Sequence, residues 1–414
     1  MVLTTIYYCI FFYFYNSTFS PKAENGDYHG YNHFMEAQNI SPPVWVETTR
    51  DLEQLVTQVL RQPRIAVDTE SNSLFAYQEK VCLIQISTPE TDYLIDPFSF
   101  SDLSPLAAVF ADANMEKIFH AAEYDILCLK RDYHFEFHGI SDTMIAARIL
   151  GLTEIGLGSL LLNRFGIEID KHYQRANWGI RPLSTDMLSY AALDTHYLFQ
   201  LRDSLEKDLI ENNLKDLAEE DFKYVSRVEG HKTNGSGTNC WKVAGASHLT
   251  PRQAAILDQL CNYRDEQARK ADLPHFKVLS NKLLVDLSQA EVTVADDMLK
   301  IEGMSKKLHQ RHGAGLMRAI QTGQSVPPVF KPRKSHPPDD QLIRMERLKE
   351  WRKKTAHELK VESDVVLPKD EMESIAYHNP QTLVELEELM MQIPVRFKKY
   401  GRNILETLTA EETI

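Results

Sequence analysis

The sequence predicts an α/β domain with a mixed sheet and flanking helices, followed by two all-α helical domains. Three observations support this fold class. Strand-like segments follow one another closely between Arg64 and Asp96, helical periodicity dominates after Leu103, and the last third contains an internal repeat. The length of 414 residues fits two or three domains.

The α/β domain begins with a helix and three strands. Apolar residues at helical spacing predict a helix over 52–60. The runs 64–70 and 81–87 predict two strands, and a third begins over 93–96 after the turn at 89–92. Because the connections are short, we expect these strands to pair as an antiparallel meander.

Helical spacing then dominates, with one further strand predicted over 117–120. Helices are predicted over 103–111, 123–133, 143–150, 157–165 and 185–211. This order of strands and helices favours a mixed sheet with helices on its faces.

The last third contains two copies of one unit at a fixed offset of 88 residues. Matching pairs include Leu257 with Met345, Tyr263 with Trp351, Arg264 with Arg352, and Gly313 with Gly401. So many matches in one register indicate a duplicated helical unit. The predicted organisation is a leader over 1–42, the α/β domain over 43–229, a flexible Gly/Ser/Thr/Asn-rich linker over 230–247, the first helical domain over 248–325, a Pro-rich linker over 326–338 and the second helical domain over 339–410.

Net charge, cysteine content and apolar runs limit the classes of function that the sequence predicts. A net charge of −13 argues against bulk binding of duplex nucleic acid, but leaves open a small site that holds phosphate through cations. The five cysteines form no CxxC pair, which favours a reducing cytoplasm. The apolar run 6–15 is too short to span a bilayer, so no membrane association is predicted. We interpret the leader as lying upstream of a natural start at Met35.

Two acids end the first long strand. Asp68 and Glu70 are two residues apart, so both side chains project to the same face. Like charges placed together repel, and a divalent cation would remove that repulsion. Oxygen ligands of this kind suit Mg²⁺ or Mn²⁺. The alternative is a strand that ends in a polar, solvent-facing turn.

Further candidates follow along the chain. Tyr190 and Asp194 are four residues apart on a strongly helical, apolar segment, which places them on one helix face. The alternative is a core tyrosine and a rim aspartate. Asp125 lies at a strand-to-helix junction, where it competes with Glu123 and Asp142, and Asp142 also fits an N-cap before the helix over 143–150.

Taken together, DxE after a strand, then HAxxxD and then YxxxD resemble the DEDD superfamily of 3′→5′ exonucleases, in its tyrosine-containing branch. The segment Trp178-Gly-Ile-Arg-Pro-Leu183 is similar to a W-x-x-R-P-L segment of ribonuclease D, and the helical units resemble its tandem HRDC domains. The resemblance implies a ribonuclease-H-like fold. It assigns Asp68, Glu70, Asp125 and Asp194 as ligands of two divalent metal ions, Mg²⁺ or Mn²⁺. Tyr190 is the fifth member of the site and would orient the attacking water.

The resemblance also implies the reaction: hydrolysis of RNA from a free 3′ end to release 5′-nucleotides, with transfer-RNA precursors as expected partners. One departure concerns the second motif, where many relatives carry Asn and this chain has His120-Ala-Ala. This departure bears on how the terminal nucleotide is held.

Other expectations concern substrate contacts and rival functions. His120 and Arg181 are candidate substrate contacts, with a core histidine and a surface ion pair as the alternatives. Basic stretches around Lys306 and Arg352 are candidate RNA contacts, with solvated helix faces as the alternative. Rival functions are a DNA exonuclease with the same site and a non-catalytic RNA-binding protein. No GxxxxGK[ST] loop occurs, so neither a helicase nor a nucleotide cofactor is predicted.

Overall fold

A computed structural model describes residues 40–229, 240–332 and 337–409. The predicted leader, apart from residues 40–42, and residues 230–239 of the predicted linker lie outside these ranges. Within them, no helix combines the length and the apolar character needed to cross a bilayer.

The described residues of the first domain form one mixed, six-stranded sheet. Its strands are β1 (Val44–Val46), β2 (Arg64–Ser71), β3 (Val81–Ser87), β4 (Asp92–Ile95), β5 (Glu116–Phe119) and β6 (Ile140–Asp142). Their order across the sheet is β1-β4-β3-β2-β5-β6. The predicted meander of β2, β3 and β4 is confirmed, while β5 and β6 extend the sheet in parallel with β2, and β1 lies parallel to β4.

Helices cover this sheet. They are α1 (Thr49–Val59), α2 (Ala107–Ala111), α3 (Ala122–Tyr133), α4 (Thr143–Ile149), α5 (Leu157–Phe165), α6 (Thr185–His196), α7 (Leu198–Glu211) and α8 (Lys215–Ser226). The prediction of a single helix over 185–211 is wrong, because the helix is interrupted at Tyr197, which separates α6 from α7. The break lets α6 pack across β2, β3 and β4 while α7 packs against β5 and α4.

The tail consists of two helical domains in the predicted register. The first contains α9 (Pro251–Ala271), α10 (His275–Val278), α11 (Asn281–Gln289) and α12 (Lys306–Ser325). The second contains α13 (Asp339–Leu359), α14 (Ser363–Val366), α15 (Lys369–His378), α16 (Leu383–Leu389) and α17 (Pro394–Thr409). The starts of α13, α14, α15 and α17 each lie 88 residues after those of α9, α10, α11 and α12.

The duplication extends to individual contacts. Arg264 donates to the carbonyl of Leu279 at 3.1 Å, and Arg352 donates to the equivalent carbonyl of Leu367 at 2.9 Å. The half-buried Arg352 guanidinium thus holds the carbonyl at the end of α14 in its own domain. Its contact with RNA stays a prediction.

The predicted linker also needs correction over its described part. Residues 240–247 pack against the core of the first helical domain, where Cys240 and Ala246 are buried. The physical reason is that the segment CWKVAGA, which follows the polar run GHKTNGSGTN, contains apolar side chains. These side chains are buried against the core of the first helical domain.

Candidate active site

Three elements bring four acids together at the carboxyl end of β2. Asp68 and Glu70 lie on β2, Asp125 lies in the first turn of α3, and Asp194 lies on α6. Asp125 is buried, and the other three acids are only partly exposed. The structure thus joins residues that are 126 positions apart in the sequence.

Asp142 explains why the chain turns Asp125 toward this cluster. Its carboxylate accepts hydrogen bonds from the backbone N–H groups of Ala121 and Ala122 at 3.1 and 2.8 Å, and of Met144 and Ile145 at 2.8 and 3.1 Å. Asp142 therefore caps the start of both α3 and α4, as its position before α4 predicted. Its carboxylate is fully used by backbone donors.

The start of α3 contains a strained residue. Ala121 has φ = 67°, in the left-handed region that non-glycine residues rarely adopt. Such a conformation costs about 1–3 kcal/mol and persists where surrounding contacts enforce it. Here the Asp142 carboxylate holds the Ala121 N–H, and the resulting sharp turn aims the first turn of α3 at β2.

The acids raise one another's pKa. Burial raises the pKa of Asp68 well above its ordinary value, and the charge of Asp194 raises it further. Burial raises the pKa of Glu70 in the same way, with added repulsion from Asp194, Asp68 and Asp125. For Asp125, burial again comes first, followed by the Asp68 charge. This mutual repulsion places all four acids in one electrostatic cluster.

Tyr190 lies beside the cluster and forms a hydrogen bond with Asp194. Burial raises the pKa of Asp194 to about 8, although a hydrogen bond from the Tyr190 hydroxyl lowers it, and the Asp125 charge raises it. The Tyr190 ring is 97% buried, with its centroid 6.2 Å from that of Trp178 and 5.9 Å from that of Tyr173. The segment before α6 thus packs against Tyr190 and fixes its ring.

The donor set fits divalent cations. Four carboxylates supply hard oxygen ligands, and within the described residues no Lys or Arg is among the main influences on their pKa values. In the described ranges, no three His, Cys, Asp or Glu side chains are already arranged as a closed metal site. Like-charged carboxylates repel one another, and a divalent cation held among them would offset that repulsion.

A second observation supports the fit. Gln85 lies directly opposite Asp68 in the pairing of β3 with β2, and its side chain is fully buried. Within the described part of the chain, neither its amide nitrogen nor its amide oxygen has a hydrogen-bond partner. Unsatisfied buried amides are rare, and this one lies beside the acid cluster, where its oxygen or nitrogen could contact a ligand of the site.

The remaining predicted contacts have different outcomes. Arg181 uses all five N–H donors within the protein, on the Asp96 carboxylate and on the carbonyls of Cys82, Trp178 and Ile180. It therefore has no donor left for a phosphate, and its role is structural. Lys306 is exposed at the start of α12, and its contact with RNA stays a prediction.

His120 lies near the cluster as a neutral ring. Its Nδ1 is 2.8 Å from the Thr143 hydroxyl. Burial lowers the pKa of His120 to about 4, and the charge of Asp142 opposes this shift. A neutral imidazole cannot neutralise a phosphate at physiological pH. Its contact with a substrate stays a prediction.

Sequence reasoning missed several residues beside the site. Thr69 donates to Asp125 at 2.5 Å, although strand alternation points it away from Asp68 and Glu70. Gln85 and Glu79 were missed as well. The only signal for Thr69 was its place between two acids, and the signal for Gln85 was a polar residue inside the apolar run VCLIQIS.

Comparison with protein families confirms the resemblance drawn from the motifs. A family model described as a 3′-5′ exonuclease matches residues 43–210, and a model for the HRDC domain matches residues 253–320 and 341–408. The first match contains all four acids and Tyr190. The two HRDC matches lie within the two helical domains.

Individual relatives agree with these matches. The exosome complex exonuclease RRP6 of Saccharomyces cerevisiae is 34% identical over 60% of this chain and 36% of its own length. Ribonuclease D of Desulfotalea psychrophila is 28% identical over 69% of this chain and 75% of its own length. The chain spans about a third of the length of the RRP6-type relatives that it matches.

A solved structure shares the fold over most of the chain. Escherichia coli RNase D, described as an exoribonuclease involved in structured RNA processing, superimposes with a TM-score of 0.65 over 90% of this chain and 100% of its own. At 22% identity this similarity shows the fold alone.

Proposed function

We propose that this chain, which contains a DEDD-type 3′-5′ exonuclease domain followed by two HRDC domains, hydrolyses RNA from its 3′ end in a reaction that depends on divalent metal ions. The proposal is carried by the convergence of Asp68, Glu70, Asp125 and Asp194 into one largely buried cluster. Among the described residues, no Lys or Arg is a main influence on the pKa values of these acids. The products would be 5′-nucleotides released one at a time.

The four acids would hold two cations, Mg²⁺ or Mn²⁺. Such ions supply neutralisation of the phosphate charge and a more acidic attacking water. In our assignment Asp68 would contribute to both ion sites, Glu70 and Asp194 would complete one of them, and Asp125 would serve the other. Thr69 would orient Asp125 through its 2.5 Å hydrogen bond.

Tyr190 would act by orientation. A free tyrosine has a pKa of about 10 and is a poor base at neutral pH. In the structure its hydroxyl donates to Asp194, which fixes the hydroxyl beside the acids. From this position it would orient the attacking water rather than accept a proton.

We further propose structured RNA precursors as substrates, with transfer-RNA 3′ ends as the first case to test. The support is the pair of HRDC domains behind the site and relatives named as ribonuclease D and as an exosome exonuclease. The HRDC domains would hold the folded part of the RNA, with Lys306 among the exposed cations available to it. The four described cysteines are free and buried, in keeping with a reducing compartment, and we propose the cytoplasm.

The first test is to incubate the purified protein with a 3′-extended transfer RNA or a matched single-stranded DNA, in Mg²⁺, Mn²⁺ or EDTA. We expect stepwise, metal-dependent shortening of the RNA. Equal digestion of the DNA would favour a general 3′-5′ exonuclease. Inactivity of the folded protein with every metal would refute catalysis and leave an RNA-binding protein.

A further inference from the structure

The loop between β2 and β3, residues 72–80, lies between the acid cluster and the first HRDC domain. Asn72 fixes its shape, since its side chain accepts from the Lys80 N–H at 2.8 Å and its carbonyl accepts from the Phe75 N–H at 2.8 Å. The β2–β3 pairing shifts register between Glu70 and Ser71. Such bulges re-aim side chains and are common beside active sites.

Glu79 in this loop connects the two elements that hold Glu70 and Asp125. Its Oε1 accepts from the Ser71 hydroxyl at 2.8 Å, directly after Glu70. The same oxygen accepts from the Tyr124 hydroxyl, directly before Asp125. One carboxylate oxygen therefore joins the end of β2 to the first turn of α3.

A charged network holds Glu79 in place. Its second oxygen accepts from Arg131 at 2.9 Å. Arg131 also pairs with Asp132 at 2.7 and 3.0 Å, and Asp132 accepts from the Val81 N–H at 2.9 Å. The side chains of Glu79 and Arg131 are only 19% and 18% exposed, so solvent screens this pair less than a surface ion pair.

The opposite side of the loop is attached to the first HRDC domain. The Tyr77 hydroxyl donates to Asp265 at 2.8 Å, and the Tyr77 N–H donates to Asp272 at 3.1 Å. The Tyr77 ring packs edge-on against His275, with the centroids 5.6 Å apart. Contacts from this domain thus reach the loop two residues before Glu79.

We propose that Glu79 is a positioning residue of the acid cluster, and that Tyr77 lets the first HRDC domain help to set its place. The proposal rests on the proposed function. The acids repel one another without cations, so the spacing between β2 and α3 needs an external constraint, and active sites depend on such supporting contacts. Glu79 supplies this constraint without reaching the ions itself.

The test compares Glu79→Ala and Glu79→Gln with Glu116→Ala. Glu116 is a matched control, because it forms a similar ion pair with Arg202 at 2.7 Å, with 25% and 20% exposure, at the far end of β5. Binding of Mn²⁺ alone to the substrate-free protein is measured by electron paramagnetic resonance, and kcat and KM are measured on a short RNA.

We expect Glu79→Ala to weaken Mn²⁺ binding and lower kcat by about 10-fold or more, with little change in KM, since residues that orient metal ligands have effects of this size. Glu79→Gln keeps an acceptor for both hydroxyls and should restore part of the loss. Tyr77→Phe should cause a smaller loss in the same direction. Its control is Tyr93→Phe, which removes a hydroxyl bonded to Gln58 at 2.5 Å.

Two results would overturn the proposal while leaving the proposed function intact: an active wild type with Glu79→Ala equal to it, or Glu116→Ala impaired as strongly as Glu79→Ala. A wild type that neither binds Mn²⁺ nor shortens RNA would instead refute the proposed function. Melting temperatures of all variants distinguish lost positioning from lost folding.

Discussion

Replacing Asp194 by asparagine should stabilise the ion-free protein while abolishing hydrolysis. Burial raises the pKa of Asp194 from 3.8 to about 8, with the Tyr190 hydrogen bond opposing and the Asp125 charge adding. An acid with a raised folded-state pKa contributes stability that is complete below its unfolded pKa and is lost as the pH rises through the folded pKa. For Asp194 that window runs from 3.8 to about 8.

The size of the effect follows from the same shift. At about 1.4 kcal/mol per pKa unit, the raised pKa of Asp194 lowers the free energy of unfolding by about 4 kcal/mol at pH 7, because the unfolded chain can ionise this group freely and the folded protein cannot. The cost is smaller where neighbouring acids take up protons in its place. Asparagine carries no charge, so the Asp194→Asn protein escapes this cost.

Urea denaturation in EDTA at about pH 4 and about pH 8 measures the effect. We expect Asp194→Asn to exceed the wild type in free energy of unfolding near pH 8, with the difference largely gone near pH 4. Asp203→Asn is a control of opposite sign, because burial raises the Asp203 pKa but the hydrogen bond and charge of Arg64 lower it overall. An equal gain in unfolding free energy at both pH values, or no gain near pH 8, would show that the folded protein does not raise the pKa of Asp194.

Three further predictions follow from buried polar groups. Arg396→Met should destabilise the protein by about 3–5 kcal/mol in chemical denaturation, because Glu220 and Asp221 lose their buried partner. Gln85→Leu should raise the stability of the ion-free protein by about 1–3 kcal/mol, since it removes an unsatisfied amide. Mn²⁺ should raise the melting temperature of the wild type more near pH 8 than near pH 5, as measured by scanning fluorimetry, because the acids must be ionised to bind it.

The sequence predicts the acids better than their surroundings. Asp68 and Glu70 follow a strand whose alternation alone gives them a common face, and the i, i+4 spacing does the same for Tyr190 and Asp194. Asp125 is different, because its direction depends on a left-handed Ala121 and on a cap from Asp142. Those contacts join segments that no local pattern connects.

Short elements were missed for a related reason. β1 and β6 have three residues each, too few for an alternation pattern, and they are strands only because β4 and β5 offer free edges. The break at Tyr197 is equally non-local. The apolar residues keep helical spacing through Tyr197, so the sequence shows no interruption. The helix is divided because its two halves pack against different parts of the sheet.

The two HRDC copies show how a repeat acquires different partners on one scaffold. The first copy meets the 72–80 loop through Asp265 and Asp272, and the residues at the same places in the second copy are Lys353 and Lys360. This change removes both acceptors for Tyr77, so only the first copy can hold that loop.

The second copy contacts the α/β domain through a charged residue that the first copy lacks. Leu308, which packs against the core of the first copy, is replaced at offset 88 by Arg396. Arg396 is fully buried against Glu220 and Asp221 of α8, at 2.7 Å from each carboxylate. The apolar core that the two copies share does not depend on these charged residues. They can therefore differ between the copies and determine which part of the α/β domain each copy contacts. If that is correct, Arg396→Leu combined with Glu220→Leu and Asp221→Leu should restore the stability that Arg396→Met loses, whereas Arg396→Leu alone should not.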